Sequence, residues 1–157
     1  MNTLNVQELL TIAVDIEVNG NRFYTQVASK LSDPAIKDLF THFAIEEIRH
    51  RDHFTAMREA VRGYQPQTTQ PEEYDAYVRA YADNLVFQLS RTDDVIRTTD
   101  TPRVALQLAL GMEKDSIVLY YELKHLVPAA ERHVVDAVIA EEKRHYVLIH
   151  EMLRAVR

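Results

Sequence analysis

The sequence predicts an all-α protein in which four long helices form a bundle within a single domain, residues 1–157. Apolar residues recur at spacings of three and four through four long segments, which is the pattern of amphipathic helices. The five prolines fall between these segments, and only three glycines occur. Because 46% of the 157 residues are hydrophobic, the chain can close one substantial core.

The first two long segments are predicted to pair as an antiparallel hairpin. The first helix runs over residues 5–31 and ends before Asp33. Asp33 as the capping residue and Pro34 at the first helical position then begin the second helix, which closes at Gly63. On the first helix the apolar or small residues that share one face are Leu9, Ala13, Ile16, Gly20, Phe23, Tyr24, Val27 and Leu31. On the second helix the apolar stripe is formed by Ile36, Leu39, Phe40, Phe43, Phe54, Met57 and Val61.

A long crossover is predicted between the second and third long helices. The polar linker at 64–71 leads into a weaker pattern that extends to about residue 99 and indicates one shorter helix. A new start signal at Thr101 and Pro102 begins the third long helix, and Pro128 separates it from the last. Two hairpins joined by a crossover that returns along a helix of roughly 40 Å describe a ferritin-like four-helix bundle.

The composition argues against several classes of protein. With 24 acidic and 18 basic side chains the formal net charge is −6, and no run of Lys and Arg occurs, which argues against binding to nucleic acid or an anionic membrane. There is no cysteine, which excludes disulfides, thiolate metal sites and cysteine nucleophiles. Neither a signal peptide nor an apolar run of about 20 residues is evident, so a cytoplasmic location is predicted.

The sequence Glu-Glu-x-x-His occurs twice, beginning at Glu46 and at Glu141. In each copy the second glutamate and the histidine lie on the core stripe of their helix. The first glutamate lies about 100° away around the helix and is expected to reach solvent, so Glu46→Ala is expected to be nearly silent. The inward residues are Glu47, His50, Glu142 and His145.

Two further glutamates lie on the apolar faces of the partner helices, Glu17 in the first and Glu113 in the third. The chain contains an internal repeat, since 96 residues separate Glu17 from Glu113 and 95 separate Glu47 from Glu142. Four buried carboxylates need a compensating charge, which two divalent cations match. An oxygen-rich set with one imidazole per metal suits iron or manganese ~3.5–4 Å apart and argues against a thiolate-type structural zinc site.

Simpler interpretations exist for several of these residues. A single Glu-x-x-His on a helix is usually part of a solvated face, whereas two copies with a glutamate and a tyrosine on each partner helix favour a metal site. Tyr24 and Tyr120 are either core aromatics or hydrogen-bond partners of the carboxylates. The other histidines, His42, His53, His125, His133 and His150, are assigned to the surface, and Tyr64, Tyr74, Tyr77 and Tyr81 to packing over the bundle or a dimer contact.

These four glutamates and two histidines resemble the diiron site of the rubrerythrin branch of the ferritin-like superfamily. The resemblance covers nearly the whole chain. It implies a non-haem diiron centre that reduces hydrogen peroxide using ferrous iron, with ferroxidase activity also common, and it implies homodimers or larger assemblies. The residues that carry the resemblance are Glu17, Glu47, His50, Glu113, Glu142 and His145.

Two features depart from that family. Rubrerythrins carry a four-cysteine rubredoxin iron site that feeds electrons in, so a chain without cysteine is expected to use a separate donor such as a rubredoxin-like protein. Rubrerythrins also typically carry a further carboxylate one turn beyond the third-helix glutamate, where this sequence has Ser116. Gly20 is the counterpart of Ser116 in the first helix, so both halves place a small residue there, which leaves room for substrate or water.

The expected cofactor is a pair of iron ions, with manganese or zinc as substitutes. The expected reaction is reduction of hydrogen peroxide with electrons from the external donor. The alternatives are a ferroxidase, which oxidises iron as its substrate, and a non-catalytic metal-binding bundle. The expected bridging ligands are Glu47 and Glu142, the terminal ligands are Glu17 and Glu113, one of His50 and His145 binds each ion, and Tyr24 and Tyr120 support the catalytic site through hydrogen bonds.

Overall fold

The computed structural model describes residues 5–66 and 70–156, and these residues form helices and no strand. The predicted all-α fold is therefore confirmed, with four long helices in the bundle and two shorter ones in the crossover. The helices are α1 (Val6–Lys30), α2 (Pro34–Ala60), α3 (Glu72–Leu89), α4 (Thr92–Thr98), α5 (Pro102–Leu126) and α6 (Arg132–Ala155).

Short-range hydrogen bonds fix the starts of three long helices. Asn5 caps α1 in a capping box, in which the Glu8 backbone N–H donates to the Asn5 side chain at 2.9 Å and the Glu8 carboxylate accepts from the Asn5 backbone at 3.0 Å. The Asp33 carboxylate accepts from two backbone N–H groups of the first turn of α2, at 2.9 and 3.2 Å. The Thr101 hydroxyl accepts from the Val104 N–H at 3.3 Å. The predicted start signals of the second and third long helices are therefore confirmed.

The crossover contains two helices, α3 and α4, where the sequence pattern predicts one. Val78, Ala82 and Leu85 of α3 join the half of the core that contains the N-terminal part of α1. Ile96 of α4 joins the other half. Because the crossover covers two separate parts of the bundle, the chain bends between them instead of continuing as one helix.

The core consists of two apolar clusters, one at each end of the bundle. One cluster includes Leu9 and Phe54 and brings together the N-terminal halves of α1 and α6 with the C-terminal halves of α2 and α5. The other includes Phe23 and Phe40 and holds the opposite halves of the same helices. The glutamates and histidines singled out in the sequence lie between these clusters along each helix, so the fold places a polar layer in the middle of an apolar core.

The five histidines that were assigned to the surface from the sequence are all exposed: His42, His53, His125, His133 and His150. The predicted packing of crossover tyrosines over the bundle is also seen, because three of them contact the core cluster. Tyr77 is the exception and stacks on Tyr81 with ring centroids 6.3 Å apart. Within the described ranges, none of the helices is long and apolar enough to cross a membrane.

Candidate metal centre

Six ionisable side chains from four helices meet between the two apolar clusters. All six residues are buried, with at most 4% of their surface exposed. The helical spacing explains their direction, because Glu-x-x-His places both side chains on one face of the helix. Buried apolar residues flank each pair on that face, Phe43 and Phe54 in α2 and Val138 and Ile149 in α6. The structure thus brings together the whole set predicted from the sequence: Glu17, Glu47, His50, Glu113, Glu142 and His145.

The six residues form two overlapping groups of four, and in each group the candidate ligand atoms lie within 4.8 Å of one another. Glu47 and Glu142 belong to both groups. The first group is completed by Glu17 and His50, and the second by Glu113 and His145. Two sites that share two carboxylates can hold a pair of cations at bridging distance.

The two histidines turn the same ring nitrogen, Nδ1, toward the centre of the cluster. His50 Nδ1 lies 2.8 Å from Glu142 and 3.5 Å from Glu47. His145 Nδ1 lies 3.4 Å from Glu142 and 3.6 Å from Glu113. The Nδ1 atoms are therefore the ones that can bind a metal, while Nε2 of each ring points outward to another partner.

Those outward partners are Glu46 and Glu141, and the prediction that both reach solvent is wrong for Glu46, whereas Glu141 stays partly exposed. His145 Nε2 lies 2.6 Å from Glu46, and His50 Nε2 lies 2.8 Å from Glu141. Glu46 is buried, with 8% of its surface exposed, and the Glu141 side chain is 28% exposed. A side chain 100° from the core stripe points here toward the neighbouring helix, because α2 and α6 run side by side in the bundle.

These contacts give the first glutamate of each motif a defined role. A carboxylate that accepts the Nε2 proton fixes the tautomer of the imidazole and leaves Nδ1 free to bind a metal. Arg49 holds both carboxylates, at 2.7 Å from Glu46 and 3.8 Å from Glu141. The repeated Glu-Glu in both copies of the motif is the sequence signal for Glu46 and Glu141. Their role as partners of the histidines could not be predicted from it, because that role depends on which helix lies opposite.

We expect Glu46→Ala to weaken metal binding roughly 10- to 100-fold, because it removes the group that orients His145. Glu59→Ala is the matched control, since Glu59 is an exposed glutamate of the same helix that pairs with Arg62. Metal affinity measured by competition with a chromophoric chelator distinguishes the two. Equal affinities for the Glu46→Ala variant and the unaltered protein would show that the contact with His145 does not position the ligand.

Both predicted tyrosines donate hydrogen bonds to carboxylates of the cluster. The Tyr24 hydroxyl donates to Glu113, and the Tyr120 hydroxyl donates to Glu17. Each bond crosses between α1 and α5, so each tyrosine supports the glutamate of the opposite helix. Burial and the neighbouring carboxylates raise the pKa of both hydroxyls well above the usual value, which keeps them protonated as donors.

Burial and mutual repulsion disfavour the charged form of carboxylates in the cluster. Burial, followed by repulsion from Glu142, raises the pKa of Glu113 to about 8. Burial, followed by repulsion from Glu17, also raises the pKa of Glu47 well above its usual range. For His145, burial would lower the pKa, but Glu113 and Glu142 raise it to about 11. These carboxylates can therefore all be ionised only beside compensating protons or cations.

A pair of metal ions fits the donor set. Among the described residues, four buried side-chain atoms have no hydrogen-bond partner: Nδ1 of His50, Nδ1 of His145 and both carboxylate oxygens of Glu142. The 2.8 Å approach of His50 Nδ1 to Glu142 lacks hydrogen-bond geometry. Buried polar atoms without partners are rare and destabilising, and these four point into the two overlapping groups. Carboxylate oxygens with one imidazole nitrogen per site suit iron or manganese.

Gly20 and Ser116 border a cavity beside the cluster, as their small size predicts. The cavity has a volume of about 410 Å³ and is lined by residues that include Glu47, Glu113 and Tyr24. Gly20 has an additional role, because a Cβ atom there would lie 3.3 Å from the carboxyl carbon of Glu47. Glycine at this position therefore lets the Glu47 carboxylate lie close to α1.

Comparison with known proteins gives three findings. The family model described as Rubrerythrin matches residues 8–153. A ferritin-like protein of Thermotoga maritima with a provisional diiron-carboxylate assignment has a crystal structure that superimposes with a TM-score of 0.73 and 28% identity, over 98% of this chain and 97% of that one. An uncharacterised protein from Archaeoglobus fulgidus is 32% identical over 57 residues, which are 36% of this chain and 90% of the relative.

Proposed function

This chain belongs to the rubrerythrin family, and on that basis we propose that it is a non-haem diiron oxidoreductase that reduces hydrogen peroxide with electrons from a separate donor. The observation that carries the proposal is the pair of overlapping ligand groups that share Glu47 and Glu142. The family and the buried cluster together fit a diiron protein. Beyond this, we propose that iron is the native metal and that peroxide is the oxidant.

Each ion would be held by three carboxylates and one imidazole nitrogen. Glu47 and Glu142 would bridge the ions because they belong to both groups. Glu17 would complete the first site and Glu113 the second, with one Nδ1 atom in each. A diferrous pair supplies the two electrons that cleavage of a peroxide O–O bond requires.

The surrounding residues hold the ligands in place and enclose the polar layer between apolar side chains. Tyr24 and Tyr120 fix the two terminal carboxylates through the hydrogen bonds that cross between α1 and α5. Glu46 and Glu141 hold the imidazole rings with Nδ1 inward. The apolar clusters above and below the layer lower the local dielectric constant, which strengthens the interactions between charges in the site.

The proposed partners follow from the composition and the family. The chain has no cysteine and so cannot carry a thiolate iron site of its own to relay electrons. We therefore propose a separate donor, such as a rubredoxin-like protein. Further copies of this chain are the other proposed partner, in a homodimer or a larger homo-oligomer.

The proposal is tested by mixing diferrous protein with hydrogen peroxide under anaerobic conditions. We expect both irons to be oxidised in one fast turnover, after which the reaction stops because no internal relay restores the electrons. Addition of a rubredoxin-like donor or a chemical reductant is expected to restart it. Stopped-flow absorbance follows the oxidation, and elemental analysis after gel filtration checks that the iron stays bound.

Two outcomes would contradict this function in different ways. Consumption of excess Fe(II) over many turnovers, with ferric product leaving the protein, would identify a ferroxidase. No oxidation by peroxide despite full iron loading would identify a non-catalytic metal-binding bundle.

A further inference from the structure

The cavity that borders the cluster connects it with the crossover helices. Its inner end touches Glu47, Glu113 and Tyr24, and its outer part is formed by residues of α3 and α4. Phe87 lies at the outer part and has 60% of its surface exposed. The cavity therefore extends from the protein surface to one bridging and one terminal carboxylate of the proposed diiron site.

The cavity is much larger than hydrogen peroxide needs. Its volume of about 410 Å³ compares with a share of roughly 30 Å³ for one water molecule in the liquid. Cavities of about 300 Å³ and more are the size that organic ligands occupy. The wall surface is also mainly apolar by area, and Phe23, Leu85, Val95 and Met112 contribute to it.

Gly111 lines this cavity, although packing does not require a glycine there. It lies inside α5, where glycine destabilises a helix relative to alanine. A Cβ atom at Gly111 would meet no atom of the described residues within 4 Å, whereas one at Gly20 would press on Glu47. Close packing thus explains Gly20 but not Gly111, where the space that a side chain would take is open.

We propose that the cavity binds the alkyl chain of an organic hydroperoxide and places its peroxide group at the end bordered by Glu47 and Glu113. This inference rests on the proposed peroxide reduction and names its substrate class. Besides the two metal-site carboxylates, Glu47 and Glu113, the lining carries one cation, Arg91, and one carboxylate, Asp115. These two charges balance, so a neutral chain is favoured over an ion. In the reaction the O–O bond breaks, two electrons from the external donor and two protons from solvent are taken up, and an alcohol and water leave.

Binding can be measured apart from turnover with an unreactive alcohol, the product class of the reaction. We expect octanol to bind the protein as purified, followed by isothermal titration calorimetry. Along the series from butanol to octanol the affinity is expected to rise about fourfold per methylene group, because each is transferred from water to an apolar wall. Affinity that does not change with chain length would overturn the inference.

A cavity-filling variant gives an independent test of location. Gly111→Leu is expected to weaken octanol binding roughly tenfold or more, because the new side chain occupies the free space. Ala56→Leu, at an exposed alanine of α2 outside the cavity, is the matched control and should bind octanol as the unaltered protein does. Gly111→Ala adds only one methyl group and should give an intermediate loss. Unchanged octanol binding in both Gly111 variants would overturn the assignment of the cavity.

The substrate is tested with octyl hydroperoxide on the diferrous protein. We expect it to oxidise the irons at lower concentration than hydrogen peroxide does, and Gly111→Leu to remove that advantage. If hydrogen peroxide oxidises the irons but octanol does not bind, the proposed function stands and the substrate class is wrong. If octanol binds but neither peroxide oxidises the irons, the proposed peroxide reduction is wrong and the hydroperoxide assignment is overturned with it.

Discussion

Replacing Glu47 by alanine is expected to remove both metal ions from the protein, not one. The reason is that Glu47 belongs to both groups of candidate ligands, so each site loses a carboxylate. Glu142→Ala is expected to have the same effect for the same reason. Elemental analysis of the purified variants, reported as metal ions per chain, measures the loss.

The terminal ligands provide the matched comparison for this prediction. Glu17 and Glu113 each belong to one group only, so Glu17→Ala or Glu113→Ala should weaken one site and leave the other able to hold its ion. Circular dichroism shows whether each variant keeps its helices. A Glu47→Ala variant that still holds one ion per chain would contradict a bridging role for this carboxylate.

Removal of the metal is expected to cause the largest loss of stability. Without the ions, four buried carboxylates must keep protons, take up water or repel one another. A ligand that binds only the native state stabilises it by about 4 kcal/mol at a thousandfold excess over its dissociation constant. Denaturant unfolding of metal-free and iron-loaded protein at neutral pH, with free metal at that excess, measures the difference.

The Glu47→Ala variant is also the control for the stability experiment. Since it is expected to bind neither ion, metal should leave its free energy of unfolding unchanged. An unaltered protein that is equally stable with and without metal would contradict the idea that the cluster needs cations to balance its charge.

Local sequence signals were sufficient for most of the bundle. Asp33 and Thr101, each followed by proline, cap the helices that they were predicted to begin, because a cap depends only on residues within one turn. The inward direction of Glu47 and Glu142 followed from helical phase relative to the apolar stripe, which is also a local property. The clustering of the six site residues then followed from placing four such stripes around one core.

Other features depend on which helix is the neighbour, which a single stripe does not encode. Glu46 was expected to be exposed to solvent but accepts a hydrogen bond from His145, because α6 packs against this face of α2. Likewise Tyr24 was predicted to serve the site, but its bond to Glu113 of the opposite helix is visible only in the fold. The bend between α3 and α4 has the same origin, since it follows the two separate core clusters.

We propose that the buried cluster holds two iron ions bridged by Glu47 and Glu142. Anomalous diffraction at the iron edge, from crystals grown without added metal, tests it most directly because it identifies the metal and counts the sites together. We predict two iron peaks per chain, roughly 3.5–4 Å apart and each next to one histidine Nδ1. A single peak, peaks at the zinc edge only, or iron bound outside the cluster would contradict the claim.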